Sequence, residues 1–180
     1  MIRRLTAAGV DGILVSLGAL QTCAEAFLAP RAPAIIARLD WTNAWYRAGA
    51  AASGAYSSCL VGQVEDALRC GADAVVPFSR FPGLDIDIET EAPLMHGGMA
   101  GHGGPWSLYY VLGWLWQIDQ AVDLPISSSG GVWDAEDLIK HLLVGADTVQ
   151  LCTVLYIQGY EVAAAMLQGL RDWMEAKGYT

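Results

Sequence analysis

The stretch Ser-Ser-Ser-Gly-Gly-Val-Trp-Asp-Ala-Glu-Asp-Leu at 127–138 sets a glycine pair between a β-leaning apolar segment and an acidic run that opens a helix. Gly130 and Gly131, at the carboxyl end of that strand, let backbone N–H groups approach a ligand with no Cβ in the way. An anion, above all a phosphate, is the ligand such N–H groups favour. The following strand ends at Gln-Leu-Cys-Thr, and 22 positions separate Gly130 from Cys152, about one strand–helix unit. The two strand ends are therefore expected to be neighbours, with Gly130, Gly131, Cys152 and Thr153 bounding a phosphate site. A tight turn alone is the competing reading of the glycines.

Other candidates carry less. The glycine-rich segment 95–106 holds His96 and His102 six apart, which is no standard metal pair, and no carboxylate or cysteine completes a set, so no metal is expected. Gly104-Pro105 in the same segment fits a helix start, with proline at the first helical position. Acids at 85, 87, 89 and 91 alternate as in a strand with one solvated face. The two lysines, Lys140 in mid-helix and Lys177 in the tail, lack the strand-end position a Schiff-base lysine needs.

The elements that must position these groups follow a repeated grammar. Segments 3–16, 65–79 and 136–153 each run from a helical stretch to Gly9, Gly71 or Gly145, then a small residue, Asp and an apolar run. The glycine suits the position after a helix, where φ is positive, and the short apolar run suits a strand buried on both faces. Helix, glycine and buried strand in repetition predict an α/β fold with parallel strands. Strands are expected near 12–16, 34–39, 73–78, 124–128 and 147–152, with a short one near 57–61. Helices are expected near 2–8, 17–27, 63–70, 105–121, 134–144 and 160–177, leaving 41–56 and 80–104 unassigned.

Bulk properties narrow the partners. The 180 residues are 54% hydrophobic, enough for one sizeable core and a single domain. Net charge is −9 and the ten Lys and Arg are scattered, which excludes a nucleic-acid footprint and leaves a small-molecule ligand. Cys23, Cys59, Cys70 and Cys152 form no Cys-x-x-Cys pair and read as reduced thiols of a cytoplasmic protein. Asp11 interrupts the early apolar run, against a signal peptide, and no run reaches the ~18 uninterrupted apolar residues of a membrane span. Five or six strands are too few for a closed eight-stranded barrel, so open sheet edges are expected, and with them association as a homodimer.

From about Gly71 onward the chain resembles the C-terminal half of the dihydroorotate dehydrogenase family. The matching pieces are GADAVVPFSRFPGLDIDIETEAPL, GHGGPW, AVDLPISSSGGVWDAEDLIKHLLVGADTVQLCT and GLRDWMEAKGY. The resemblance implies a partial (β/α)₈ TIM barrel and FMN as cofactor. It implies that Phe78, Gly104, Gly130, Gly131, Cys152 and Thr153 contact the flavin, with Cys152 standing where the family has glycine. Ser79 and Arg80 fall where the family touches its pyrimidine substrate, without the family's asparagine. The catalytic base and flavin-contacting lysines belong to barrel units outside this match, so the catalytic machinery is expected to be incomplete. Residues 1–75 are similar instead to the archaeal-type class I fructose-bisphosphate aldolase family, through GVDGILVSLGALQ, APAIIARLDWTNAW and AYSSCLVGQVEDALRCGADAVV. An aldolase-type lyase, or a fragment that binds a phosphate ligand without catalysis, is the alternative to a flavin oxidoreductase.

Overall fold

Helix-to-strand junctions set the path of the chain in the computed structural model, which describes residues 12–16, 34–39, 53–78, 81–94 and 100–179. Strands β1 (Gly12–Ser16) and β2 (Ala34–Arg38) lie parallel, in a register pairing Gly12 with Ala34. Helix α1 (Ser53–Arg69) then leads into β3 (Ala74–Val76), which pairs parallel with β2. Helix α1 ends in a double hydrogen bond: the Gly71 N–H donates to the Leu68 carbonyl at 2.9 Å, and that of Ala72 to Ala67 at 3.0 Å. Gly71, at φ 79°, supplies the left-handed residue this ending requires.

The same ending recurs after α3 (Ala135–Leu143), with Gly145 at φ 108° donating to Leu142, and Ala146 donating to His141. It delivers the chain into β9 (Thr148–Gln150), parallel to β8 (Ser127–Ser129). A parallel bridge between Val75 and Ile126 joins β3 to the segment that opens β8. The parallel strands therefore follow chain order, β1-β2-β3-β8-β9, and all their carboxyl ends share one side. Among the described residues β1 and β9 each pair along one edge only.

Helical periodicity decides what packs behind the sheet. Leu60, Val64 and Ala67 of α1 are buried at spacings of four and three, as are Val111, Leu115 and Ile118 of α2 (Leu108–Ala121). Both faces close on Ala37, Leu39, Val75, Phe78 and Ile126. A second cluster, Val132, Val154 and Met166, forms under α4 (Thr153–Gln158) and α5 (Glu161–Lys177). The strand expected near 57–61 is corrected by this packing: those residues lie inside α1, whose buried positions follow a helical period.

Within the unassigned stretch 80–104 the described residues form two nested antiparallel pairs between β3 and α2. Strand β4 (Phe81–Gly83) pairs with β7 (Ala100–His102), and within them β5 (Ile86–Asp87) pairs with β6 (Ala92–Pro93). The alternating acids thus form less strand than expected, because Asp87 turns the chain: its carboxylate accepts from the N–H groups of Glu89 and Thr90 at 2.8 and 3.1 Å. Those donors hold the Asp87 carboxyl below its usual range, Thr90 first. A single 3₁₀ turn, Pro105–Ser107, precedes α2, as the Gly-Pro pair predicts. The helices expected near 2–8 and 17–27, and Gly9, His96 and most of 41–56, lie outside the described residues.

The aspartate of the second Gly-Ala-Asp phrase ties two strand starts together. Its carboxylate accepts from the Ile126 N–H at 2.8 Å, and the Asp147 N–H donates to the Ile126 carbonyl at 2.9 Å. Replacing Asp147 with alanine leaves the Ile126 N–H without its acceptor and should cost about 1–2 kcal/mol. Urea unfolding followed by circular dichroism measures it as a lower midpoint with unchanged slope.

Candidate functional site

Register alone brings the two predicted strand ends together. Ser129 pairs with Gln150, so Gly130-Gly131 and Leu151-Cys152 are the next residues on adjacent parallel strands. Thr153 follows at the first turn of α4, and its hydroxyl oxygen lies so close to Gly103 that a Cβ there would overlap it. Gly131, at φ 82°, packs on the backbone of Leu108, the first residue of α2. The Ser107 hydroxyl donates to the Gly104 carbonyl at 3.2 Å, closing the turn that begins that helix. Gly103-Gly104, Gly130-Gly131 and Cys152-Thr153 are therefore gathered by direct contacts at the carboxyl ends of the strands.

The N–H groups there have the character an anion needs. Gly130, at φ 103°, and Gly131, at φ 82°, follow the last ladder pair of β8 directly. Two residues after Gly131, the Trp133 N–H donates to the Asp137 carboxylate at 3.1 Å. Asp134 caps α3 by accepting from the Asp137 N–H at 3.0 Å, so the chain leaves the glycine pair straight into a well-formed helix.

Each serine of the triplet is spent on holding this corner. Ser127 accepts from the Gln150 side chain at 2.9 Å, tying β8 to β9. Ser129 donates to the Phe78 carbonyl at 2.9 Å, tying β8 to the end of β3. Ser128 shares a 2.8 Å hydrogen bond with Nδ1 of His141 on α3, and both side chains are fully buried. Burial pushes the imidazole down from 6.5 to about 4, against the opposing influence of the Gly130 carbonyl, and its Nε2 has no partner among the described residues.

The other sequence-predicted residues divide. Phe78 reaches the corner through its carbonyl, while its ring is buried in the core, 5.8 Å from that of Trp114. Cys152 is exposed with a free thiol. Ser79 and Arg80 lie outside the described residues. Lys140 pairs with Glu136 at 3.0 Å and Asp137 at 3.5 Å on the helix surface, away from any Schiff-base role. Among the described residues no cluster of three His, Cys, Asp or Glu could hold a metal ion, and no helix is long and apolar enough to cross a membrane. Sequence reasoning missed Ser128, His141, Gly103 and Leu108. Three serines on an inner strand demand partners, but nothing in the sequence says that one of them stands thirteen residues later.

Parallel strands with helices between them, and glycine turns gathered where the strands end, define an α/β barrel-type protein. The model of the dihydroorotate dehydrogenase family matches residues 63–174, more than half of the chain, and the chain belongs to that family. Similar proteins include the catalytic subunit of dihydroorotate dehydrogenase B (NAD(+)) from Methanothermobacter thermautotrophicus, 32% identical over 122 residues covering 67% of this chain and 39% of the relative. The corresponding subunit from Petrotoga mobilis is 30% identical over 119 residues, covering 66% and 39%. A crystal structure of dihydroorotate dehydrogenase in complex with ferulenol from Eimeria tenella superposes with a TM-score of 0.67. That likeness covers 93% of this chain and 51% of the other at 14% identity, and it shows the fold: a partial α/β barrel. The chain thus spans about two fifths of the length of these curated relatives. The aldolase resemblance of residues 1–75 gains no support from these likenesses.

Two outcomes test the corner. A side chain at 131, expected from sequence to project into ligand space, meets the Leu108 backbone instead, so Gly131→Val should cost roughly 2–4 kcal/mol of stability through overlap and positive-φ strain. Thermal melts of the variant read this directly. The second concerns pH. The unfolded ring of His141 takes a proton near 6.5 but the folded one only near 4, so its contribution is complete above pH 6.5 and is lost as pH falls to about 4. The loss should total roughly 3 kcal/mol, visible as a steeper acid decline in urea stability than in His141→Asn.

Proposed function

We propose that the chain is the flavin-phosphate-holding part of an FMN-dependent oxidoreductase related to dihydroorotate dehydrogenase. The observation that carries this is the convergence of the Gly130-Gly131 and Cys152-Thr153 backbone with Gly103-Gly104 at the shared carboxyl ends of the parallel strands, where backbone N–H groups are the donors at hand. A phosphate monoester dianion suits such donors, and backbone N–H groups hold it without a cationic side chain. FMN carries such a group, and its ring system supplies hydride-accepting chemistry when bound. The relatives named dihydroorotate dehydrogenase B favour a flavin over other phosphate ligands.

In this reading Gly130, Gly131, Cys152 and Thr153 surround the phosphate, and Gly104 meets the flavin from the start of α2. The Phe78 carbonyl fixes β8 beside them through Ser129. Ser79 and Arg80 follow Phe78 directly in the chain, and the family resemblance assigns them to the substrate, a small pyrimidine-like molecule. The exposed Cys152 thiol borders the site without acting as its base, which the family resemblance assigns to barrel units beyond those matched here.

Binding without turnover is the expected signature of the 180-residue chain. General-base catalysis is typically worth ~10²- to 10⁴-fold, so without that group dihydroorotate oxidation should fall at least about a hundredfold below an intact relative. Flavin fluorescence titration measures the binding, and steady-state assay with added FMN and dihydroorotate measures the rate. Absence of saturable FMN binding would sink the reading; turnover within about tenfold of an intact relative would sink the claim of incomplete machinery.

A further inference from the structure

Helix α2 is apolar on two opposite sides. Val111, Leu115 and Ile118 are buried in the core, while the other side carries Trp106, Tyr109, Tyr110 and Trp116 at 49, 77, 60 and 55% exposure. With Gly113 between them, these positions recur at three- and four-residue spacing and form one stripe along the helix and the turn before it. Residues 103–118 include no charged side chain. A helix that is apolar all round is ordinarily covered all round. At ~200 Å² for a fully exposed ring, the four rings present about 500 Å², a size at which an exposed apolar patch marks an interaction surface.

The stripe suits its own copy. Gly113 lies at its centre, where a Cβ would meet nothing, so a second helix has room to approach the backbone closely. Reversed about Gly113, the stripe matches itself: Tyr110 falls opposite Trp116 and Tyr109 opposite Gln117, and both pairs recur on the other side of the axis. The first pair sets ring against ring, and in the second a phenol meets an amide. Charge selects the antiparallel sense. Asp119, the first charged residue beyond the stripe, lies six residues and roughly 9 Å along the helix from Gly113. Antiparallel helices hold the two Asp119 carboxylates roughly 18 Å apart, beyond the screening length of physiological salt, and set each near the amino end of the facing helix. Parallel helices would place them side by side. Other occupants fit less well, because no Lys or Arg lies between Arg80 and Lys140 to attract an acidic partner or an anionic membrane surface. In a chain of net charge −9, an uncharged face is also where two copies repel each other least.

We propose that the outer face of α2 is a homodimer surface, on which a second copy of the chain docks antiparallel across a twofold axis at Gly113. Two such stripes bury about 1,000 Å², the lower bound for a specific interface, so the dimer is reversible rather than obligate. Its rings are held in advance: Tyr110 lies 6.2 Å from Trp114, and Trp114 lies 5.8 Å from Phe78 in the core, which lowers the ordering cost of docking. This surface is separate from β1 and β9, the strands whose open edges suggest association on sequence grounds.

Sedimentation equilibrium of the full chain, with circular dichroism as the check on folding, tests the surface. The wild type should show a monomer–dimer equilibrium with a dissociation constant of about 1–100 μM. Gly113→Glu puts two carboxylates face to face at the axis and should weaken the dimer at least about a hundredfold, as should Gly113→Lys. Neither change should harm the monomer, since position 113 is exposed and both residues are better helix formers than glycine. An equimolar mixture of the two variants should dimerise again, because only contact of one copy's residue 113 with the other's brings the opposite charges together. Trp116→Gln, which adds no charge, should weaken the dimer about tenfold. A wild type that stays monomeric up to about 500 μM, well above that range, overturns the proposal. So does a dimer unchanged in Gly113→Glu or in Trp116→Gln, which assigns association to the sheet edges, and so do charged variants that stay apart on mixing. Cosedimentation of a monomeric wild type with phosphatidylcholine vesicles assigns the stripe to a lipid surface instead and overturns it too.

Discussion

The contact of Gly131 with the backbone of Leu108 is the constraint on which the corner depends. Backbone-to-backbone approach at this distance leaves no room for a Cβ, and the positive φ of Gly131 excludes most other residues a second time. Because Leu108 is where α2 begins, the contact sets the height at which that helix starts above the sheet. Gly104 and Ser107 then close the preceding turn, and Gly103 is brought against Thr153 from the neighbouring unit. Two close approaches, Gly131 on Leu108 and Gly103 on Thr153, thus link three strand–helix units into a single rim.

Polar groups rather than apolar ones lock that rim from behind. A strand of three serines would be a poor choice for an inner strand such as β8 if packing were the only demand. Its three hydroxyls instead reach β9, α3 and the end of β3, one each. Hydrogen bonds of this kind contribute about 1 kcal/mol each in net stability, and leaving the buried Ser128–His141 pair unmade costs more. The arrangement therefore specifies one relative placement of four elements, where an apolar strand would tolerate several.

Among the described residues five parallel strands follow one another in chain order, against the eight of a closed barrel of this kind. In the proposed reading, holding a phosphate needs only the last units, because adjacent strand ends supply the N–H groups. Catalysis on a barrel draws on the ends of several different strands, so it is the function most sensitive to which units are joined.

Helix–glycine–strand grammar was legible without any structure, because a left-handed residue after a helix and a doubly buried strand each restrict residue type locally. Gly71 and Gly145 both take the conformation that grammar demands, and the order of parallel strands follows it. The pairing of Gly130-Gly131 with Leu151-Cys152 was likewise foreseeable from unit length. What failed were readings that needed distant partners or competing periods. Residues 57–61 look β-like in isolation, but Leu60, Val64 and Ala67 are recruited to one helical face by the sheet they cover. The acids at 85–91 alternate as in a strand, yet Asp87 bends the chain through its own carboxylate. His141 carries no local mark at all: only folding sets it against Ser128, on an element thirteen residues away, and only burial on both sides gives that single hydrogen bond its weight.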